Sequence, residues 1–414
     1  MIALAAAVFV TFAALLIPNK TPFVRVWRPS FLMGALSAIG LMVTAKYFGF
    51  ETMNPSVGLL YAGGLVAFLI GDTLMSTLMK PGHSSDPGRI QPVAGLVRAV
   101  PLVYLYAFLS LIGAVVVVFV YQQRSAMFNM YELGTALRTA EREGESYYGA
   151  AHLMLFSGAL GTVLILNRKL WVQLVGFALF LSPFFLSFVA VARTGLFFFM
   201  CPMAFLLYVR TRKLWPLLAP ASILAIGTFL YAEFAGKETV FNGDSFFVWY
   251  AGYGIHAFDH YILPLNDRDW GLNSLGAIGS FIYGGIEPED LSVFGTEFNV
   301  YTFIGSPYRD FGVAGVILLP FLFACLWSWV WNRTPDKPIC LMLYGWMVFP
   351  CIIPFFDWKF SLTSLIYLVF IYLILLRSQF GTFAASDQEA SASARSSLVE
   401  QNSSFSSKRV GWHT

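Results

Sequence analysis

Long runs of apolar residues, separated by shorter polar stretches, recur along almost the whole chain of 414 residues. A helix needs about 20 apolar residues to cross the hydrocarbon core of a bilayer, so runs of this length predict membrane-spanning helices. The pattern predicts about 11 spans and is compatible with 10–12. They cover residues 1–18, 31–49, 56–79, 99–121, 149–166, 170–191, 194–209, 214–234, 308–331, 339–357 and 361–376. The predicted fold class is therefore all-α, a polytopic transmembrane helix bundle.

Basic residues are divided unequally between the two sets of loops that these spans leave. One set holds 17 of the 26 lysines and arginines but only 6 of the 23 acidic residues, with Asp72 of the third span included. The other set, counted with the charges near it, holds 9 basic and 17 acidic residues. Because cytoplasmic loops carry the excess of lysine and arginine, the first set and the C-terminus are predicted to be cytoplasmic. The N-terminus and two long loops, about 122–148 and 235–307, then face outside. Residues 1–379 form the membrane domain, and the Ser- and Ala-rich residues 380–414 are predicted to be a disordered tail.

Composition supports this class and excludes several others. The chain is 57% hydrophobic, 17% aromatic and only 12% charged, with mean hydropathy +0.68, which excludes an ordinary soluble globule. The four cysteines lie in or at the ends of spans, so no disulfide framework is predicted. The sequence has no nucleotide-binding loop and no zinc-protease motif. Transport driven by a nucleotide motor within this chain is therefore excluded, and we expect no Cys-based metal site, no cofactor and no nucleic-acid partner.

A polar segment at the end of the second long loop concentrates the candidate chemistry. It runs from Glu297 to Gly312 and leads directly into the apolar run Val313–Trp331. Charges at such a boundary are costly unless they are solvated, paired or used in function. The polar residues of this segment are Glu297, Asn299, Tyr301, Tyr308, Arg309 and Asp310. The simpler alternatives are an Arg309–Asp310 salt bridge and tyrosines that anchor the membrane interface.

Other polar residues are candidates because of their position outside or within the predicted spans. Arg193 lies at an outer turn, where its alternative role is to hold that turn, and Arg268 lies in the second loop. His256 and His260 have the spacing of one helix face, and a plain surface helix is their default interpretation. Asp72 lies inside the third span, where a buried structural hydrogen bond is favoured over an ion path.

Two short motifs resemble those of a known enzyme family. Asn299-Val-Tyr-Thr followed by Tyr308-x-Asp-Phe-Gly resembles the oligosaccharide repeat-unit polymerases, the Wzy-type O-antigen polymerases of bacterial envelopes. Arg193-Thr194-Gly195 is similar to the arginine-containing turn of that family, and the order of spans and loops also fits. The resemblance covers about 30 residues, and Gly305-Ser306-Pro307 departs from it.

The resemblance implies a membrane glycosyltransferase with a large periplasmic loop, similar to GT-C-type enzymes, in the bacterial inner membrane. Such an enzyme transfers a growing glycan from undecaprenyl diphosphate to a new lipid-linked repeat unit, beside membrane lipid and a chain-length-regulating co-polymerase. The catalytic candidates are His260, Glu297 and Asp310, since an acceptor hydroxyl needs a general base. The candidates for binding the diphosphate or the glycan are Arg193, Arg268, Asn299, Tyr301, Tyr308 and Arg309, the arginines because guanidinium groups bind phosphate oxygens.

Two other functions stay open at the level of sequence. An O-antigen-ligase-like transferase would use the same donor and attach the glycan to lipid or protein. A lipid-glycan flippase or small-solute transporter would place charges along several spans. The polar residues of this chain concentrate in two outer loops instead, which favours chemistry at the membrane surface. The sequence leaves open whether the product is O-antigen, capsule or exopolysaccharide.

Overall fold

The computed structural model describes residues 1–18, 25–49, 53–79, 100–125, 152–165, 170–189, 193–211, 213, 246–283, 301–334, 338–355, 360, 365–366 and 368–372. These residues form helices and connecting turns, and the described part of the chain contains no strand. The α-helices are α1 (Ile2–Leu16), α2 (Pro29–Tyr47), α3 (Pro55–Leu78), α4 (Val100–Ser125), α5 (Leu155–Ile165), α6 (Leu170–Val189), α7 (Arg193–Thr211), α8 (Phe246–Ala257), α9 (Ala277–Ile282), α10 (Gly305–Arg333), α11 (Pro338–Met347) and α12 (Phe349–Ile352). The all-α class is therefore confirmed.

Three of the described helices, α2, α3 and α10, are long and apolar enough to cross a membrane. Shorter apolar helices occupy Ile2–Leu16, Leu170–Leu181, Met200–Val209 and Ile339–Ile352. These helices indicate a membrane-associated protein. The count of 11 spans and the orientation of the chain stay predictions, and the predicted span 214–234, the loop 122–148 and the tail 380–414 lie outside the described residues.

Helices α3 and α10 run side by side in the same direction. Gly63 lies beside Ile317, Gly71 beside Phe321, and Ser76 beside Asn332, so the two helices stay in register over three turns and more. A Cβ atom at Gly71 would collide with the carbonyl oxygen of Phe321. Small residues at such crossings let helix backbones approach closely, which is how packing between membrane helices is favoured.

A buried ion pair joins α2 to α3 and, through hydroxyl groups, to α10. Arg28, the residue that precedes α2, donates to both carboxylate oxygens of Asp72 in α3, from Nε at 2.8 Å and from a terminal nitrogen at 2.9 Å. Ser30 and Ser328 also donate to Asp72, Ser328 at 2.6 Å. Both charged side chains are fully buried. The hydrogen-bonded role for Asp72 that the sequence favours is therefore what the structure shows.

The first residues of α10 fold back on the rest of the helix. Gly312 has φ 64° and ψ −144°, which interrupts the helix, and a Cβ atom at Gly315 would collide with the carbonyl oxygen of Pro307. In a straight helix these two residues would be about 12 Å apart. Residues 305–311 therefore form a short arm that packs against the long part of α10, and we call residues 301–312 the re-entrant segment.

A further helical region, residues 246–283, covers one end of this bundle, and we call it the cap segment. Its first helix, α8, packs along the second half of α2, where the Thr44 hydroxyl donates to the carbonyl of Gly252 at 2.8 Å. A π-helix follows at Phe258–Ile262, with the amide of Leu263 donating to the carbonyl of Phe258. Single π-helical turns are rare and occur frequently at functional sites.

Replacing Asp72 with asparagine tests the importance of the buried ion pair. The change leaves the Arg28 charge buried without its carboxylate, so we expect the free energy of unfolding in detergent micelles to fall by about 3–5 kcal/mol. The matched control is Asp267→Asn, at an exposed carboxylate of the cap segment, with an expected change of about 0.5 kcal/mol or less. An Asp72→Asn protein as stable as the parent would contradict this role for the pair.

Candidate functional site

The re-entrant segment enters the bundle instead of lying on its surface. The amide of Phe303 donates to the carbonyl of Pro354 at 2.8 Å, and the Phe303 ring lies 5.0 Å from the ring of Tyr61 in α3. Tyr301 is buried, with 3% of its surface exposed. This depth explains why an aromatic and polar motif precedes a span: its aromatic residues fill the bundle, and the short arm then carries Tyr308, Arg309 and Asp310 to the cap segment.

Asp310 holds a turn of the cap segment onto the re-entrant segment. Its carboxylate accepts hydrogen bonds from the backbone amide of Asn273 at 3.1 Å and from the Asn273 side chain at 2.8 Å. It also accepts from the backbone amide of Ser274 at 2.5 Å and from the Ser274 hydroxyl. Asp310 is completely buried, and four donors use the roughly four lone-pair directions of a carboxylate. This geometry favours an anchoring role over that of a general base.

Arg309 is neutralised by a carboxylate of the same cap turn. Its Nε forms an ion pair with Asp269, which also accepts a hydrogen bond from the Asn273 side chain at 2.7 Å. Arg309 is 4% exposed. Neighbouring charges in the motif therefore bind the same turn of the cap: Asp310 holds Asn273 and Ser274, and Arg309 holds Asp269. The sequence offered Asp310 as the salt-bridge partner of Arg309, and the ion pair that the described residues show is with Asp269 instead.

Arg268 has a different environment from Arg309. One terminal nitrogen donates to the carbonyls of Leu265 and Tyr308, both at 3.3 Å, and the guanidinium carbon lies 4.8 Å above the centre of the Tyr308 ring. The side chain is half-buried, and no ion pair to a carboxylate is found for it in the described part of the chain. Arg268 is thus a positive charge held in a fixed orientation by neutral groups.

Two histidines lie beside this region, at the junction between α8 and the π-helix. The His256 and His260 rings are 4.3 Å apart between centroids, and Phe48 from the end of α2 stacks on His256. Burial, followed by the charge of His260, lowers the pKa of His256, while Asp259 acts in the opposite direction. The carboxylate of Asp259 accepts from the backbone amide of Asn54 at 3.1 Å, which ties the π-helix to the start of α3.

The structure describes the remaining predicted site residues only in part or not at all. Arg193 is the first residue of α7, but its side chain is not described. Glu297 and Asn299 lie outside the described residues. Among the described residues no group of three or more His, Cys, Asp or Glu side chains could hold a metal ion.

Sequence reasoning missed the cap residues that complete the site. Asp269, Asn273 and Ser274 contact Arg309 and Asp310, although they lie 36 or more residues earlier in the chain. The positive φ of Trp270, 48°, marks the tight turn that brings them together. The only sequence signal is a cluster of turn-forming Asp, Asn and Gly residues within an apolar loop. That cluster predicts a turn, but it does not identify the partner of the turn.

The backbone at Gly312 is predicted to be necessary for this arrangement. Its φ and ψ are accessible essentially to glycine alone, so Gly312→Ala is expected to cost about 1–3 kcal/mol of unfolding free energy. The added methyl group would also lie 3.4 Å from Nε of Arg268, so we expect faster amide hydrogen exchange in residues 268–274. The control is Gly58→Ala in α3, where the nearest atom is 4.0 Å away, with a gain of about 0.5–1 kcal/mol. Equal behaviour of the two variants would contradict the prediction.

Comparison of the chain with protein-family models, with curated proteins and with solved structures gave no match.

Proposed function

We propose that the protein is a membrane glycosyltransferase that polymerises oligosaccharide repeat units carried on undecaprenyl diphosphate. The observation that supports this best is Arg268, a half-buried cation without a carboxylate partner in the described residues, beside the re-entrant segment. The proposed setting is the periplasmic face of a bacterial inner membrane, with a chain-length-regulating co-polymerase as a partner. The resemblance of the 299–312 motif to the polymerase family supports the same proposal.

A diphosphate at a lipid surface needs a cation that is both charged and pre-oriented. Arg268 meets this need because two backbone carbonyls and the Tyr308 ring fix its guanidinium group, and neither of these neutralises the charge. A fixed guanidinium binds phosphate oxygens without a further loss of side-chain freedom. Arg309 is less suited, because Asp269 already compensates it and because it is almost fully buried. In this proposal Arg268 binds the donor diphosphate and Arg309 holds the cap.

The proposed reaction needs one base, which accepts the proton of the acceptor, and one cation, which stabilises the leaving group. The hydroxyl oxygen of the acceptor repeat unit attacks the anomeric carbon of the donor glycan and forms the new glycosidic bond. The bond between that carbon and the phosphate oxygen breaks, and its electron pair stays on the diphosphate, where Arg268 stabilises the charge. The hydroxyl proton passes to His260, which is exposed at the cap surface and close to His256. The products are an elongated lipid-linked glycan and free undecaprenyl diphosphate.

Exposed aromatic surface near Arg268 supports a glycan as the substrate. Trp270 is 67% exposed, and its backbone carbonyl accepts a hydrogen bond from the Tyr283 hydroxyl at 2.7 Å. An exposed indole ring presents an apolar face on which the C–H side of a sugar ring can stack. The same ring is also suited to a membrane interface, where a lipid-linked substrate is found.

Replacement of Arg268 tests the proposed donor site. In liposomes that contain the purified protein and labelled lipid-diphosphate repeat units, the parent is expected to form a ladder of longer glycans on a gel. Arg268→Gln is expected to slow the ladder about 10²–10³-fold, because charge on the leaving group is no longer stabilised. Arg268→Lys keeps the charge but loses the planar geometry, so an intermediate loss is expected.

The control for this experiment is Arg333→Gln, which removes an arginine at the opposite end of α10 and should leave the ladder unchanged. A folded Arg268→Gln protein that forms the ladder at the parental rate would contradict the role of Arg268. Label that crosses the bilayer without a ladder would favour the flippase instead. A single transfer to lipid or protein would favour the ligase.

Replacement of His260 tests the base. His260→Ala is expected to lower kcat about 10²–10⁴-fold, with a smaller effect on the KM of the donor. His83→Ala, in a predicted cytoplasmic loop, is the control and should not change either quantity. A folded His260→Ala protein with the parental kcat would move the role of base to another group.

A further inference from the structure

The far end of the cap segment carries an exposed apolar surface. Ile278 and Ile282 lie one helical turn apart on α9 and are 49% and 63% exposed. Trp270 and Tyr283 are exposed as well, and the Tyr283 hydroxyl joins these two residues by donating to the Trp270 carbonyl. Neighbouring apolar side chains that are exposed together mark an interaction surface. We call these four residues the tip surface.

Polar and apolar residues at this end of the cap are arranged in the opposite way to those of a segment that faces water. Residues 270–283 contain no charged side chain. Two of their polar residues, Asn273 and Ser274, bond to the buried carboxylate of Asp310, and Ser274 is itself completely buried. The isoleucines of α9 are exposed instead. Lipid favours this arrangement, because hydrocarbon offers polar groups no hydrogen-bond partners.

An exposed apolar stripe of α10 begins directly beside the tip surface. It follows the helical spacing from the start of the long part of α10 and consists of Val313, Ile317, Leu318, Leu322 and Leu326. The Phe311 ring, just before this stripe, lies 6.5 Å from the Trp270 ring between centroids. A Cβ atom at Gly271 would lie 3.2 Å from Cζ of Phe311. The tip surface thus continues the exposed face of a helix that is long and apolar enough to cross a membrane.

The length of α10 determines the depth of the tip surface in a bilayer. The helix from Val313 to Arg333 is about 30 Å long at about 1.5 Å per residue, which matches the thickness of the hydrocarbon core. The guanidinium carbon of Arg333 lies 4.3 Å above the Trp329 ring. An arginine is costly inside the hydrocarbon, so Arg333 marks one boundary and Val313 lies at the other. Trp270, beside Phe311, then lies at that second interface, where aromatic residues concentrate.

We propose that the tip surface is inserted into the adjacent leaflet of the bilayer, where Ile278 and Ile282 contact lipid acyl chains. Arg268 is two residues before Trp270, so insertion holds its guanidinium group at the level of the lipid phosphates. A diphosphate carried on a lipid reaches the protein at this same level. This consequence for the donor rests on the proposed glycosyltransferase function, whereas the insertion itself does not.

Nitroxide labels on the full-length protein in lipid nanodiscs measure the depth of the tip surface. The labels are attached at Ile278→Cys and Ile282→Cys, and the unchanged protein corrects for labelling of the native cysteines. Relaxation of each label by oxygen, which concentrates in hydrocarbon, and by a water-soluble nickel chelate gives its depth. We expect both labels about 5–10 Å inside the headgroup boundary. The controls are Leu322→Cys in the stripe of α10, expected deeper, and Asp267→Cys at an exposed polar position of the cap segment, expected in water.

Two results would overturn the insertion. Nickel access at the two isoleucine positions equal to that at Asp267→Cys would place the tip surface in water. Exclusion of both oxygen and nickel would show that protein covers the surface, and dipolar broadening between labels would identify that protein as a second copy of the chain.

The ladder assay tests the consequence for the donor. Ile278→Asn combined with Ile282→Asn removes the apolar contact with lipid, so we expect the KM of the donor to rise about tenfold with little change in kcat. Ile278→Leu combined with Ile282→Leu keeps the contact and should behave as the parent does. A parental KM in the asparagine variant, at an unchanged melting temperature, would overturn the link between the tip surface and Arg268.

The label and ladder experiments also separate the failure of the insertion from that of the proposed function. If the labels are inserted but no ladder forms, the insertion stands and the polymerase proposal falls. If the ladder forms while the labels are in water, the polymerase proposal stands and the insertion falls.

Discussion

The buried pair of Arg28 and Asp72 is the constraint on which the arrangement of the long helices depends. An unpaired charge in this environment is costly, so neither side chain can leave the other while the bundle stays packed. The pair fixes the start of α2 against the second half of α3, and the Ser328 hydroxyl adds α10 to the same contact. Because α3 and α10 are also in close contact at Gly71, the position of Gly312 at the far end of α10 is determined as well.

This chain of contacts explains how the side chains of a site at one end of the bundle can hold fixed positions although the site is built from loops. The re-entrant segment begins inside the bundle, where Phe303 packs on Tyr61 of α3, and it ends at Gly312. Asp310 and Arg309 then hold one turn of the cap segment, and the Asp259 carboxylate holds another to the start of α3. With the hydrogen bond from Thr44 of α2 to Gly252, these contacts attach the cap segment to the rest of the bundle at three separate places.

The sequence predicts the parts of this structure that depend on local pattern, and it misses those that depend on distant partners. Apolar runs predict α2, α3 and α10, and the position of Asp72 within a span already indicates a buried hydrogen-bonded group. The partner of Asp72 is 44 residues away and lies in a segment that the charge pattern assigns only to a loop. The pattern of apolar residues likewise does not predict the arm that folds back at Gly312. It indicates the length of a span, but it contains no information on a reversal of chain direction within that span.

Because distant partners cannot be read from the sequence, it also cannot distinguish the roles of polar residues that lie close together at the membrane boundary. Arg309 and Asp310 are equivalent to Arg268 as polar residues at a membrane boundary, and composition or spacing cannot separate them. In the structure the three residues differ in whether a partner compensates their charge. Asp269 neutralises Arg309, and Asp310 accepts four hydrogen bonds. Arg268 is held by neutral carbonyl groups and a tyrosine ring. A charge that is already compensated contributes to folding, and a charge held by neutral groups remains able to bind an anion. On this physical ground we propose Arg268 as the residue that binds an anionic donor, even though the family-like motif contains the other two residues.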